Sequence, residues 1–187
     1  MKSKHIRAYM ECAEAFAKCS NATRLRVGCV VVKDNKIISC GYNAQPEHID
    51  DPCELENGTT DPRVRHAEKN ALMGLIRSNQ SAVDAVMFVT HACCEFCAID
   101  IVDSGIKKVY YKHPYRLTTG IEYLVKNGVE VVQLTEETNE TSDEMAPSLY
   151  PRYSCGCSNG KCTKDTRESS YWEQAARDAI NRTDEKR

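Results

Sequence analysis

Three metal-ligating side chains stand in two short motifs, His66 in His66-Ala67-Glu68 and the pair Cys94 and Cys97 in Cys94-Glu95-Phe96-Cys97. Two cysteines three apart at a helix start put both sulfurs on one face, and the positive helix terminus favours the thiolate, the form that binds metal. One imidazole and two thiolates occupy three corners of a tetrahedron and leave the fourth to water, which is how catalytic zinc is held. The metal and two thiolates sum to zero charge, and zinc lowers the pKa of bound water to roughly 7, so hydroxide is available near neutrality. Glu68 is not needed as a ligand and stands two residues from His66, placed to take and return the water proton. A structural zinc is the competing reading, but it calls for a fourth protein ligand and gives Glu68 no task. Either motif alone is weak; their pairing at two helix starts is specific.

The ligands converge only if those helix starts share one end of a sheet, and the patterning supplies this. Apolar residues Ile6, Tyr9, Met10, Ala13, Phe16 and Ala17 predict a helix over 4–18. Val27 to Val32 and Ile37 to Cys40 are β-branched runs around Lys33-Asp34-Asn35-Lys36, a hairpin. From Tyr42 to Arg65 the period is broken by Pro46, Pro52, Gly58 and Pro62, a long loop of the kind that carries function. A helix over 65–79, a strand over 85–90, a helix over 94–104 ended by Gly105 and a strand over 108–111 follow. Thr119 with Glu122 forms a capping box for a helix that Gly128 stops, and Val129 to Leu134 is the last strand. The order α-β-β-α-β-α-β-α-β predicts an antiparallel hairpin beside parallel later strands, a mixed five-stranded sheet between helices.

Residues 1–136 therefore read as one domain, and 137–187 as a polar tail with a docking helix over 168–180 and three cysteines, Cys155, Cys157 and Cys162. The formal net charge of −2 lacks the basic excess of a protein that grips long nucleic acid. No apolar run spans a bilayer and the N-terminus has no signal-peptide core, which predicts a cytoplasmic protein. In that reducing setting the 11 cysteines stay thiols, and clustered ones bind metal.

Around the metal motifs the chain reads Arg26-Val27-Gly28-Cys29-Val30-Val31, Gly41-Tyr42-Asn43-Ala44-Gln45-Pro46, His66-Ala67-Glu68-Lys69-Asn70-Ala71 and Ser104-Gly105-Ile106-Lys107-Lys108-Val109-Tyr110. H-x-E followed by P-C-x-x-C is the signature of zinc nucleobase deaminases. Over residues 5–134 the sequence resembles the deoxycytidylate (dCMP) deaminase family of the cytidine deaminase-like superfamily, with a tail that suits a phage-type member. The resemblance implies a three-layer α/β/α cytidine deaminase-like fold and hydrolytic deamination of dCMP to dUMP and ammonia. Zinc-bound hydroxide would attack the amine-bearing carbon, Glu68 would protonate the adjacent cytosine ring nitrogen, and the dUMP would feed thymidylate synthesis. It further implies a homo-oligomer, a hexamer, activated by dCTP with Mg2+ and inhibited by dTTP. The rivals are a deaminase of a base in tRNA or single-stranded DNA, and an inactive zinc-binding regulatory relative.

Two residues depart from the family pattern: Cys93 replaces the proline before the first zinc cysteine, and Ala44 replaces a glycine. Cys93 opens a second ligand register with Cys97, but the family spacing to Ser104-Gly105-Ile106 favours Cys94 and Cys97. The resemblance places Asn43, Ala67 and Tyr115 against the nucleotide and makes His91 a pocket residue. Arg24 and Arg26, with Arg63 and Arg65, stand near loop ends that could reach a phosphate. Some phage-type relatives hold a second, structural zinc, for which Cys19, His48 and Cys53 are the counterparts here.

Overall fold

A computed structural model of the chain describes residues 1–46 and 51–135; His48 and the tail, with its expected helix and three cysteines, lie outside the described residues. The elements are α1 (Ser3–Ala17), β1 (Gly28–Lys33), β2 (Lys36–Tyr42), α2 (Ala67–Ile76), β3 (Val86–His91), α3 (Glu95–Asp103), β4 (Lys108–His113), α4 (Thr119–Lys126) and β5 (Glu130–Gln133), in the order the patterning predicts. The β1–β2 turn has positive φ at Asp34 (50°) and Asn35 (57°), the two-residue geometry whose twist suits a hairpin.

The five strands form one sheet in the order β2-β1-β3-β4-β5. Strand β1 is antiparallel to both β2 and β3, whereas β3, β4 and β5 are mutually parallel. Hence β1 alone runs against the other four strands, and the carboxyl ends of β2, β3 and β4 share one edge. Helices α2, α3 and α4 all begin there. Ligands in open α/β sheets bind in the crevice beyond such strand ends.

Central β1 is buried on both faces. Val30, Val32, Phe88 and Tyr110 face α1 through Met10 and Ala13, with the Phe88 ring stacked on Tyr110 at 4.8 Å. Cys29, Val31, Met87, Val89 and Val109 point the other way, onto Ala71 and Leu75 of α2, Ala98 and Ile101 of α3, and Leu124 of α4. This alternation is the two-residue period of a strand. Full burial of a side chain such as Ile101 or Leu124 stabilises by about 1.5–3 kcal/mol. The result is the α/β/α layering expected from the sequence, with α1 on one face and α2 to α4 on the other.

Helix α4 differs in detail from its expected capping. Thr118, not Thr119, is its N-cap, and its hydroxyl bonds the Glu122 carboxylate at 2.7 Å instead of a backbone N–H. At the other end Gly128 (φ +81°) bonds Val125 O and Val129 N bonds Leu124 O, a complete Schellman stop.

Candidate active site

His66 is the N-cap residue of α2 and Cys94 that of α3, so each ligand motif is fixed by an extended residue turning into a helix. The Nδ1 of His66 lies 3.4 Å from Cys94 Sγ and 3.4 Å from Cys97 Sγ, and the three donor atoms fall within 4.8 Å of one another. Cys93, buried at 1% exposure, is not in that group. The two thiols contend for one proton. The hydrogen bond with Cys97, then the one with His66, draws Cys94 down to about 4 against the effect of burial, while the bond to Cys94 and burial hold Cys97 up. His66 is raised, first by its bond to Cys94. A borderline-soft divalent ion bound by two thiolates and one imidazole fits this donor set, and zinc is the ion it suits.

Glu68 sits in the first turn of α2 and is 4% exposed. Burial raises its pKa above the ordinary carboxylate value, while His66 pulls the other way. A carboxyl tuned upward beside a metal pocket is suited to exchanging protons near neutrality.

Two glycines let the supports come close. A Cβ at Gly41 would lie 2.4 Å from Ala67 O, so β2 presses directly on the start of α2; one at Gly120 would lie 2.2 Å from Cys93 O, so the first turn of α4 rests on the turn that presents Cys94. Asn70 Nδ2 donates to Tyr42 O at 2.8 Å and ties α2 to the carboxyl end of β2.

The other residues singled out in the sequence fall as follows. Asn43 is half-buried; its Oδ1 accepts from Val27 N–H at 2.8 Å and its Nδ2 donates to Leu25 O at 2.8 Å, pinning the approach to β1. Ala67 is fully buried between the ligand and Glu68. Tyr115 packs on the larger core, with Arg116 over its ring at 5.7 Å. The Arg24 guanidinium is engaged by Glu54 and Thr60, Arg26 Nε donates to Ala22 O at 3.1 Å, and Arg63 pairs with Asp61 at 2.7 Å. Arg65 pairs through its backbone with Ala44, beside His66. Cys19 Sγ bonds Ala15 O at 3.9 Å and Cys53 Sγ bonds Asn43 O at 3.8 Å. The sequence reading passed over Thr90, Gly120 and Glu54. A glycine in a helix's first turn was a readable signal for close approach; Thr90 and Glu54 carried none.

A layered α/β/α protein with a three-donor metal pocket and a buried carboxylate at the carboxyl edge of its sheet is the class that fold and site define. Residues 3–113 match the family described as the cytidine and deoxycytidylate deaminase zinc-binding region. The chain belongs to the dCMP deaminase family of the cytidine deaminase-like superfamily. It is 43% identical to the dCMP deaminase of the cyanophage S-TIM5, whose crystal structure holds dCMP and dUMP; the match covers 72% of this chain and 99% of that one, with a TM-score of 0.70. It is 32% identical over 141 residues to deoxycytidylate deaminase of Saccharomyces cerevisiae, covering 69% of this chain but 45% of the yeast protein. It is also 32% identical over 134 residues to ComE operon protein 2 of Bacillus subtilis, covering 68% of this chain and 71% of that one. The chain thus spans less than half the length of the yeast relative. Among the described residues no helix is long and apolar enough to cross a membrane.

Proposed function

We propose that this protein hydrolyses dCMP to dUMP and ammonia. The observation that carries the reading is buried Glu68 beside the His66, Cys94 and Cys97 donors, in a chain whose likeness to the S-TIM5 dCMP deaminase covers nearly all of that protein. His66 Nδ1 and the two sulfurs would hold zinc. Zinc so held supplies a Lewis acid that makes water a nucleophile near neutral pH. Glu68 would take a proton from the attacking water and deliver it to the cytosine ring nitrogen beside the amine-bearing carbon while the water oxygen bonds to that carbon. It would then pass the remaining hydroxyl proton to the amine, so that the C–N bond breaks, the new oxygen becomes the carbonyl of dUMP and ammonia leaves. Ala67, Asn43, Tyr115, Arg24 and Arg26 line the nucleotide path, with Asn43 also organising the loop that approaches it. The enzyme works in the cytoplasm as a homo-oligomer, a hexamer, supplies dUMP for thymidylate synthesis, and answers to dCTP with Mg2+ and to dTTP. Cys19, His48 and Cys53 are proposed to hold a second zinc.

The test is ammonia release and product identity with dCMP, dCTP, cytidine and a cytosine-containing oligonucleotide, with and without added dCTP and Mg2+. Turnover of dCMP that is lost in Glu68→Ala while zinc stays bound supports the proposal. Turnover only of the oligonucleotide, or of nothing, overturns it.

A further inference from the structure

Beyond the metal pocket, the carboxyl edge of the sheet carries a second pair of imidazoles that no step above uses. His91 ends β3 and His113 ends β4, the two are register partners, and their rings lie 4.9 Å apart at 38°. The strand ends are locked together there, since Ala92 N–H donates to His113 O at 2.8 Å.

The protonation of His91 follows from a chain of hydrogen bonds that starts on another strand. Gly28 N–H, at the head of β1, donates to Thr90 Oγ1 at 3.2 Å, and that hydroxyl lies 3.1 Å from His91 Nδ1. Thr90 is buried, and among the described residues His91 Nδ1 is the acceptor within its reach. A buried hydroxyl that already accepts one bond must place its own proton, so Thr90 donates to Nδ1 and the ring hydrogen of His91 sits on Nε2. Burial and the neighbouring His113 also push His91 below the ordinary histidine value, keeping it neutral. Metal-ligating histidines are oriented the other way, their outer nitrogen donating to a carbonyl or carboxylate. His91 therefore offers a fixed hydrogen-bond donor, and what suits it is an acceptor rather than a cation.

Its surroundings favour an anionic acceptor. Arg116 lies over Tyr115 in the segment that follows His113, α4 starts just beyond, and Glu122 in its first turn is already bonded to Thr118. Arg24 and Arg63, by contrast, are occupied by Glu54 and Asp61. We propose that His91 and His113 form the subsite that receives the phosphate of the nucleotide, with His91 donating through Nε2 and Thr90 holding it in that tautomer. This rests on the nucleotide reading above and names the residues that would recognise the phosphate.

Binding of dUMP and of deoxyuridine to the zinc-loaded full chain, measured by calorimetry, isolates the phosphate contribution. His91→Phe, which keeps a ring but has no donor, is expected to lower the preference for dUMP over deoxyuridine about tenfold, the loss of one hydrogen bond to a charged group. His91→Gln, which keeps a donor, is expected to recover part of it. An unchanged preference in His91→Phe overturns the subsite. Nitrogen NMR of the wild-type imidazoles during titration with inorganic phosphate supplies a readout independent of any variant's folding. Expected are a neutral Nε2–H tautomer at His91 and shifts at His91 and His113; no shift at either overturns the proposal. Should the wild type bind neither nucleotide nor nucleoside, the dCMP reading fails while the phosphate titration still judges the subsite.

Discussion

Gly120 lies so close to Cys93 that a Cβ on the glycine would stand 2.2 Å from the Cys93 carbonyl oxygen and 2.8 Å from the carbonyl carbon of Cys94. These are backbone atoms and cannot swing aside, so the turn presenting Cys94 is held from behind by α4. Gly120→Ala is expected to cost about 1–3 kcal/mol through overpacking and to loosen zinc retention with it. Thermal midpoint and zinc per chain, measured together, check this. A stable variant with full zinc would show that the turn is free to retreat.

The ligand register separates cleanly by substitution. Cys94→Ser and Cys97→Ser are each expected to lower zinc content sharply, because thiolate donors are lost from a three-donor set. Cys93→Ala should keep its zinc, since Cys93 is buried outside the donor group. Zinc loss in Cys93→Ala with retention in Cys94→Ser would assign the other register.

Glu68→Gln preserves shape while removing the exchangeable proton. It is expected to retain zinc and to lower kcat for dCMP by about 10²–10⁴, the usual worth of general acid–base catalysis. A variant of near-normal kcat would transfer the proton role elsewhere.

Strong acid should weaken the loop that carries Asp61. Asp61 is buried, and hydrogen bonds from the Arg63 side chain and backbone, followed by one from Gln45, hold its carboxyl well below the usual range. A carboxyl depressed in the folded state contributes stability that is present above its unfolded pKa, about 3.9, and lost as pH falls through the folded value. Urea midpoints are therefore expected to fall for the wild type as the medium is acidified below that point. Asp61→Asn should start lower at neutrality and fall less. Parallel acid profiles for the two proteins would remove Asp61 from the account.

Asn43→Ala removes the partners of Val27 N–H and Leu25 O in one step. A loss of roughly 1–3 kcal/mol is expected for groups left unpaired, together with a higher KM for dCMP as the loop before β1 loosens. Denaturant midpoint and KM on the same preparation test whether the two move together.

Much of the scaffold was legible because its signals are local. The β-branched runs around Asp34-Asn35 and the stops at Gly105 and Gly128 each depend on a few neighbouring residues, and among the described residues every helix and strand stands within a few positions of its expected place. The ligand triad was legible for a related reason, as each motif sits at a helix start and the topology forces the starts together. What escaped was the lateral coupling across the sheet edge. The bond from Gly28 to Thr90 joins residues 62 apart, and that from Thr23 to Glu54 joins residues 31 apart; no periodicity encodes such contacts. The cap of α4 stands one residue earlier than the spacing to Glu122 indicated, because Glu122 bonds the Thr118 hydroxyl one helical turn away instead of closing a box on Thr119.

His66 belongs to one helix and Cys94 and Cys97 to another, 28 and 31 residues further along the chain, with β3 threaded between. An ion clasped by all three acts as a rivet across that loop. Because the unfolded chain cannot assemble the same grip, free zinc at 1,000 times its dissociation constant would add about 4.1 kcal/mol to the native state. Metal supply would then govern not only the reaction but how long each molecule survives heat and proteolysis.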